Sequence, residues 1–376
     1  MLLTQDQEMI RDAVRAFAQE QLWPHAPRWD KEHEFPHEAH RGLAALGAYG
    51  ICVPEEFGGA GLDYVSLALV LEEIAAGDGG TSTAISVTNC PVNAILMRYG
   101  NDVQKQRWLM RLARGELLGV FCLTEPHVGS DASALRTTAR REGGSYVLNG
   151  VKQFITSGKN GHLAIVIAVT DPGAGKKGMS AFLVPTDTPG YAVARLEDKI
   201  GQHSSDTAQI NFDNCRVPAD HLIGEEGGGY RIALSALEGG RIGIAAQSVG
   251  MARSAFEVAL AYAKERQSFG TAIINHQAVG FRLADCATQL EAARQLIWHA
   301  ATLRDAGRPC LKEAAMAKLF ASEMAERVCS AAIQTLGGYG YVSDFPVERI
   351  WRDVRVCQIY EGTSDVQKII IQRALA

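Results

Sequence analysis

The sequence predicts a mainly α fold with a central β-domain: an N-terminal helical domain, a middle β-sandwich or barrel-like domain, and a C-terminal helical bundle. Two changes in hydrophobic period carry that prediction. Apolar residues recur at helical spacing through the first part of the chain, then alternate or cluster in short runs from about 120 to 225. After "GEEGGGY" (224–230) helical spacing returns. The implied domains are 1–117, 118–228 and 229–376, and a chain of 376 residues with 47% hydrophobic and 21% charged residues can bury cores of that size.

The elements follow in order. Thr4 and Gln7 have capping-box spacing, and Ile10, Val14 and Phe17 share one face of the helix they open. "PEEFGGAGLDY" (54–64) is a Gly-rich loop ahead of a helical run from Leu67 to Ala76. In the middle domain, "SYVLNGVKQFIT" (145–156) carries Asn149-Gly150 between alternating segments, which predicts a type I′ hairpin. "LAIVIAV", "MSAFLVP" and "TAQINF" read as strands bounded by turn residues. Val279, Leu283, Cys286, Leu290, Ala293 and Ile297 recur at alternating steps of four and three, the seam of a bundled helix. Residues 312–336 form another long helical stretch, closed by Gly337-Gly338.

Composition excludes several classes. The net charge of -5 comes with no basic run, which argues against nucleic acid as a partner. No uncharged apolar stretch is long enough for a membrane span. The chain begins directly in a helix pattern, so no secretory or transit peptide is expected and the location is cytoplasmic, or a mature mitochondrial-matrix form. Eight cysteines without a C-x-x-C pair read as reduced thiols. "GAGKKG" (173–178) matches a dinucleotide fingerprint in letters only, because a strand-like run follows where a helix is required; it reads as a hairpin loop. His33, His37 and His40 have ligand-like spacing, but Pro36 interrupts a shared face and no second ligand set stands out, so no metal is expected.

Three segments point to chemistry. "CLTEPHVGSDASAL" (122–135) leaves a strand into a loop whose hydroxyls and N–H groups could meet a phosphate, although taken alone it reads better as an ordinary polar turn. "QFITSG" (153–158) offers an aromatic ring and two hydroxyls at a strand end. "IYEGTSDVQ" (359–367) sets Glu361 between Ile359-Tyr360, which read as buried, and a helix start capped by Ser364 or Asp365. Such an acid is either a surface group beside a cap or a base strengthened by partial drying.

Taken together with "VPEEFGGAGLDY", "KIGQHSSDTAQINFDNCRVP", "RQSFG" and "QTLGGYGYVSDFPVERIWRD", these motifs run in the order and spacing of a known family. The chain resembles the acyl-CoA dehydrogenases over essentially its whole length. The resemblance implies FAD in a cleft between the β-domain and the C-terminal helices. Phe121, Leu123, Thr124, Gly129 and Ser130, with Phe154 (more often Trp in the family), Ile155 and Thr156, would line the flavin from the β-domain. Thr363 and Asp365 would approach it from the C-terminal side. Arg266, Phe269, Gln277, Gln334, Gly337 and Gly338 match positions that hold the flavin of a neighbouring subunit, which implies at least a dimer and usually a homotetramer.

Glu361 matches the family's catalytic base, and Ser130, Glu238, Arg241 and Gly362 match positions near the acyl-CoA substrate. A subset of the family carries its base directly before the arginine equivalent to Arg241; here that position is Gly240. The implied reaction is α,β-dehydrogenation of an acyl-CoA, of short or short branched chain, to trans-2-enoyl-CoA, with electrons passed to an electron-transferring flavoprotein. An oxygen-using oxidase and a non-catalytic scaffold are the alternatives.

Overall fold

The computed structural model describes residues 2–376. Helices occupy both ends of the chain and strands the middle, the fold class expected from the sequence. The Thr4–Gln7 box forms: Thr4 Oγ1 accepts from the Gln7 N–H (3.2 Å) and Gln7 Oε1 from the Thr4 N–H (3.0 Å), opening the helix Gln5–Phe17. Asp63 caps the next long helix, Tyr64–Gly77, through the Ser66 N–H (2.7 Å). That helix is buried on nearly all sides, so its acids must be paired. Glu72 meets Arg253 and Arg294, and Glu73 meets Arg15 and Arg253, all within 3.1 Å.

The middle strands are β1 (Gly119–Cys122), β2 (Thr138–Glu142), β3 (Ser145–Thr156), β4 (Leu163–Val169), β5 (Met179–Pro185), β6 (Tyr191–Leu196), β7 (Thr207–Pro218) and β8 (Leu222–Ile223). They form one sheet in the order β6-β7-β3-β2-β4-β5-β8, with β1 parallel to β4. The sheet curls around an apolar interior that includes Val120, Leu148, Val166, Phe182 and Ile210. The opposite face of β4 and β5 (Ile165, Ile167, Leu183) packs with Ile95, Leu112 and Ile232 from the helical regions. Burial on both faces explains the unbroken apolar run of β4.

The Asn149-Gly150 hairpin does not form. β3 runs through both residues, and β2 turns into β3 at Gly143-Gly144, where Gly143 has φ 60°. Asn149-Gly150 instead marks a shift of register between β3 and β7. A Cβ at position 150 would lie 2.5 Å from Thr137 Oγ1, so the glycine serves close approach rather than a turn. "GAGKKG" lies in the turn Pro172–Gly178 that joins antiparallel β4 and β5, as expected.

The helix Gly229–Glu265 is the axis of the C-terminal region, packed on Tyr64–Gly77, Gln277–Asp305 and Leu311–Leu336. Gly250 permits one of these contacts, since a Cβ there would sit 2.1 Å from the Glu72 carbonyl. Leu283, Cys286, Leu290, Ala293 and Ile297 are buried along the predicted seam, and Gly337 (φ 63°) ends Leu311–Leu336. All eight cysteines are free thiols. Among the described residues, no helix is long and apolar enough to cross a membrane.

Candidate active site

Helix Val347–Val354 and the 3-10 turn Arg355–Gln358 lead into residues 359–363, and the helix Ser364–Leu375 follows. Thr363, not Ser364 or Asp365, caps that last helix, its hydroxyl accepting from the Val366 N–H (3.3 Å). Ile359 is 52% exposed, contrary to its expected burial. Tyr360 does reach inward: its hydroxyl donates to Gln247 Oε1 (3.1 Å) and lies 3.5 Å from Thr83 Oγ1. That anchor precedes two residues of left-handed backbone, Glu361 (φ 53°) and Gly362 (φ 88°). Positive φ is costly for glutamate and ordinary for glycine.

The carboxylate of Glu361 lies against the Gly229–Glu265 helix. A Cβ at position 240 would fall 2.5 Å from Glu361 Oε2, so only glycine leaves room for it. Positions 240 and 361 therefore face the same space. Oε2 is sealed from solvent and has no hydrogen-bond partner among the described residues. Burial pushes the Glu361 carboxyl up to about 7, opposed by the positive charges of Arg241 and Lys318. Arg241 is 4% exposed, and its Nε and Nη1 are buried without partners. Burial lowers its proton affinity, while Glu361 and Glu238 act the other way. Glu238 is already engaged: its Oε1 accepts from Arg304 Nη1 (2.9 Å) and from the Cys310 thiol (3.2 Å).

The β-domain residues converge separately. The Gln153 N–H donates to the Thr124 carbonyl (2.9 Å), setting the loop after β1 beside the end of β3. Phe121, Leu123 and Thr124 are half-buried, and Gly129 and Ser130 are exposed. Phe154 has φ 58° and a 62% exposed ring, while Thr156 ends the strand, half-buried. The Ile155 side chain belongs to the sheet interior, which leaves its backbone for a ligand. Behind these residues stands an ion pair that sequence reasoning missed. Lys152 Nζ donates to Glu125 Oε1 (2.8 Å) and the Leu123 carbonyl (2.9 Å), and Glu125 accepts from the Arg136 (2.7 Å) and Thr137 (3.0 Å) N–H groups. The available signal was a lysine at a buried register position of a strand.

Arg266, Gly337 and Gly338 form a third group, lining a cavity of about 540 Å³ with Tyr262, Ser268 and Thr335. Added Cβ atoms at Gly337 and Gly338 would meet nothing within 4 Å. Phe269 (97% exposed), Gln277 and Gln334 stand at the surface, and none of the β-domain residues or Glu361 lines this cavity. Thr363 is occupied as the cap, and Asp365 is exposed in the following turn. His33, His37 and His40 do not converge on a metal: His40 Nδ1 meets the Tyr49 hydroxyl (2.6 Å), and His33 stacks on His203. His33, Asp198 and His203 do approach one another within 4.8 Å. However, both His203 nitrogens already face oxygens, Asp30 Oδ1 (2.8 Å) and the Lys199 carbonyl (2.7 Å).

A sealed carboxylate, a buried guanidinium with unpaired donors and an open di-glycine surface fit a planar, phosphate-bearing cofactor together with a thioester substrate. Comparison with known proteins agrees. The chain matches the N-terminal, middle and C-terminal domains of acyl-CoA dehydrogenase over residues 4–116, 120–215 and 227–376. It is 46% identical over 369 residues to the human mitochondrial short-chain specific acyl-CoA dehydrogenase, covering 98% of this chain and 90% of that one. Butyryl-CoA dehydrogenase from Megasphaera elsdenii superposes with a TM-score of 0.98 at 39% identity, covering 100% and 99% of the two chains. A chain from a structural study of the electron transferring flavoprotein of Acidaminococcus fermentans superposes at 0.99 with 44% identity, covering 100% and 99%.

Proposed function

The chain belongs to the acyl-CoA dehydrogenase family, and from that premise we propose that it oxidises short-chain acyl-CoA thioesters, with Glu361 as the base. Acyl-CoA dehydrogenation and dependence on FAD follow from the family; the short chain is supported by the human and Megasphaera relatives. One observation carries the site assignment: Oε2 of the half-buried Glu361 is sealed from solvent without a partner, and burial pushes this carboxyl up to about 7. A general base works best with a proton affinity near the operating pH, and burial supplies that strength.

The residues act as follows. Among the described residues the Glu361 N–H has no partner, so it is available to donate to the thioester carbonyl and stabilise the charge that develops there. The Glu361 carboxylate takes the α-proton. Arg241 balances its negative charge until the proton is transferred. Phe121, Leu123, Thr124, Gly129, Ser130 and Phe154 to Thr156 would hold the flavin from the β-domain, with Thr363 and Asp365 on the other side. FAD, when bound, supplies the acceptor for the β-hydrogen and its electron pair, leaving a trans-2-enoyl-CoA. Arg266, Phe269, Gln277, Gln334, Gly337 and Gly338 would grip the cofactor of a neighbouring copy, Arg266 offering its planar fork to the pyrophosphate. The exposed rings of Phe269, Phe281 and Tyr341 support burial of that face in a homotetramer. Ser130, Glu238, Arg241 and Gly362 would contact substrate. An electron-transferring flavoprotein is the partner supported by the Acidaminococcus likeness, and free thiols support a cytoplasmic setting.

The test is anaerobic bleaching of the yellow holoenzyme by straight and branched acyl-CoAs of increasing length. Fastest bleaching by butyryl-CoA or isobutyryl-CoA is expected. Peroxide formation in air at the turnover rate would favour an oxidase, and failure of every thioester to bleach the flavin would overturn the reading.

A further inference from the structure

We propose that Lys318 is a positioning residue for this reaction, clamping with Gln367 the left-handed Glu361–Gly362 turn that carries the base. Lys318 lies on the helix Leu311–Leu336 in the apolar stretch "AAMAKLFA" and is fully buried. A buried ammonium is retained only where something compensates its lost hydration. Its Nζ donates to the Gly362 carbonyl (2.7 Å). Gln367, also fully buried, donates from Nε2 to that carbonyl (2.8 Å) and to the Glu361 carbonyl (3.1 Å).

Both carbonyls of the strained turn are therefore held, that of Gly362 from two helices and that of Glu361 from Gln367 alone. A non-glycine residue keeps positive φ only where its surroundings over-determine it. Each held carbonyl fixes its whole peptide plane, so the Gly362 and Thr363 N–H groups are set in direction and the Glu361 backbone is anchored on its C-terminal side. Gly362 is matched to the clamp as well, since a Cβ there would strike Gln367 Nε2 at 2.7 Å.

The second consequence is electrostatic. The charged and titratable groups facing Lys318 are Glu361, Arg241, Cys357 and Glu323. Burial, the largest influence, lowers the Lys318 ammonium to about 8, so it is charged at neutral pH and neutral well above that. While charged, it opposes the effect of burial on Glu361. Loss of this charge should raise the proton affinity of the base and move the acid limb of activity to higher pH.

The inference rests on Glu361 being the base, and the test separates the two. In FAD-loaded protein, the Glu361 carboxyl is titrated by infrared difference spectroscopy with Glu361→Gln as the blank, which reads the group whether or not any thioester turns over. Lys318→Met is expected to raise the midpoint by about one pH unit. It is also expected to slow anaerobic bleaching by butyryl-CoA about tenfold at neutral pH with KM little changed. Gln367→Met removes only the uncharged half of the clamp; bleaching should slow while the midpoint stays, and this variant decides the matter if Lys318→Met does not fold. An unmoved midpoint in Lys318→Met, or wild-type bleaching in Gln367→Met, overturns the proposal. A wild-type holoenzyme that no thioester bleaches overturns the reading of function instead.

Discussion

The Glu361 turn and the Arg266–Gly338 surface are opposites. At the first, one chain supplies the base, the wall at Gly240, the cations Arg241 and Lys318 and the clamping amide of Gln367, and the working oxygen is sealed from water. At the second, Arg266 and two glycines border an open cavity, Phe269 is 97% exposed and Tyr341 86% exposed. Desolvation raises the proton affinity of the Glu361 carboxyl, and a single chain can provide it. Arg266 and the glycines offer charge and room for close approach, but on this chain they border solvent. On the proposed function, proton transfer would be local to one chain, whereas retention of the flavin would belong to the assembly.

The strongest way to break this contrast is at the base. Glu361→Gln should keep FAD and bind acyl-CoA yet lower bleaching by about 10²–10⁴-fold, the usual contribution of a general base, as measured by single-turnover stopped flow. Substantial remaining turnover would remove Glu361 from its role.

Next comes Gly240→Ala. Alanine is the better helix former by about 1 kcal/mol, so the helix itself should not suffer. Its methyl nevertheless overlaps the space of Glu361 Oε2, and an ångström-scale displacement should cost about 10²-fold, read as kcat with flavin content unchanged.

The pH profile sharpens the comparison without mutation. Because burial raises the Glu361 carboxyl to about 7, kcat/KM should rise with pH through that value and fall about tenfold per unit below it. Stability responds with the opposite sign. The folded state holds this proton more tightly than the unfolded chain, so its contribution favours folding at low pH and is lost as pH climbs from the ordinary carboxylate range to about 7. A flat profile between pH 5 and 8 would contradict the buried base.

The smallest effect is expected at the open surface. Arg266→Ala should release flavin several-fold faster on dialysis, with bleaching per bound flavin unchanged; equal retention would refute its role.

Much of this was legible in the sequence. The two changes of period separate helical ends from a stranded middle, because side-chain periods of 3.6 and 2 leave different apolar patterns. The Thr4–Gln7 box and the 279–297 seam were readable because both depend on local spacing alone. Asn149-Gly150 misled because a hairpin and a shift of register use the same residue pair, and only the pairing of β3 with β7 distinguishes them. Ser364 and Asp365 were equal candidates for a cap that the backbone assigns to Thr363.

At the site, the sequence by itself determined which residue types are present: an acid after an apolar pair, a glycine before Arg241, a lysine in an apolar helix. Tertiary structure alone decided that Gly240, Arg241, Lys318, Glu361 and Gln367 meet in one place. The physical reason is that periodicity and capping act over a few residues, whereas desolvation of a carboxylate is a property of everything packed around it.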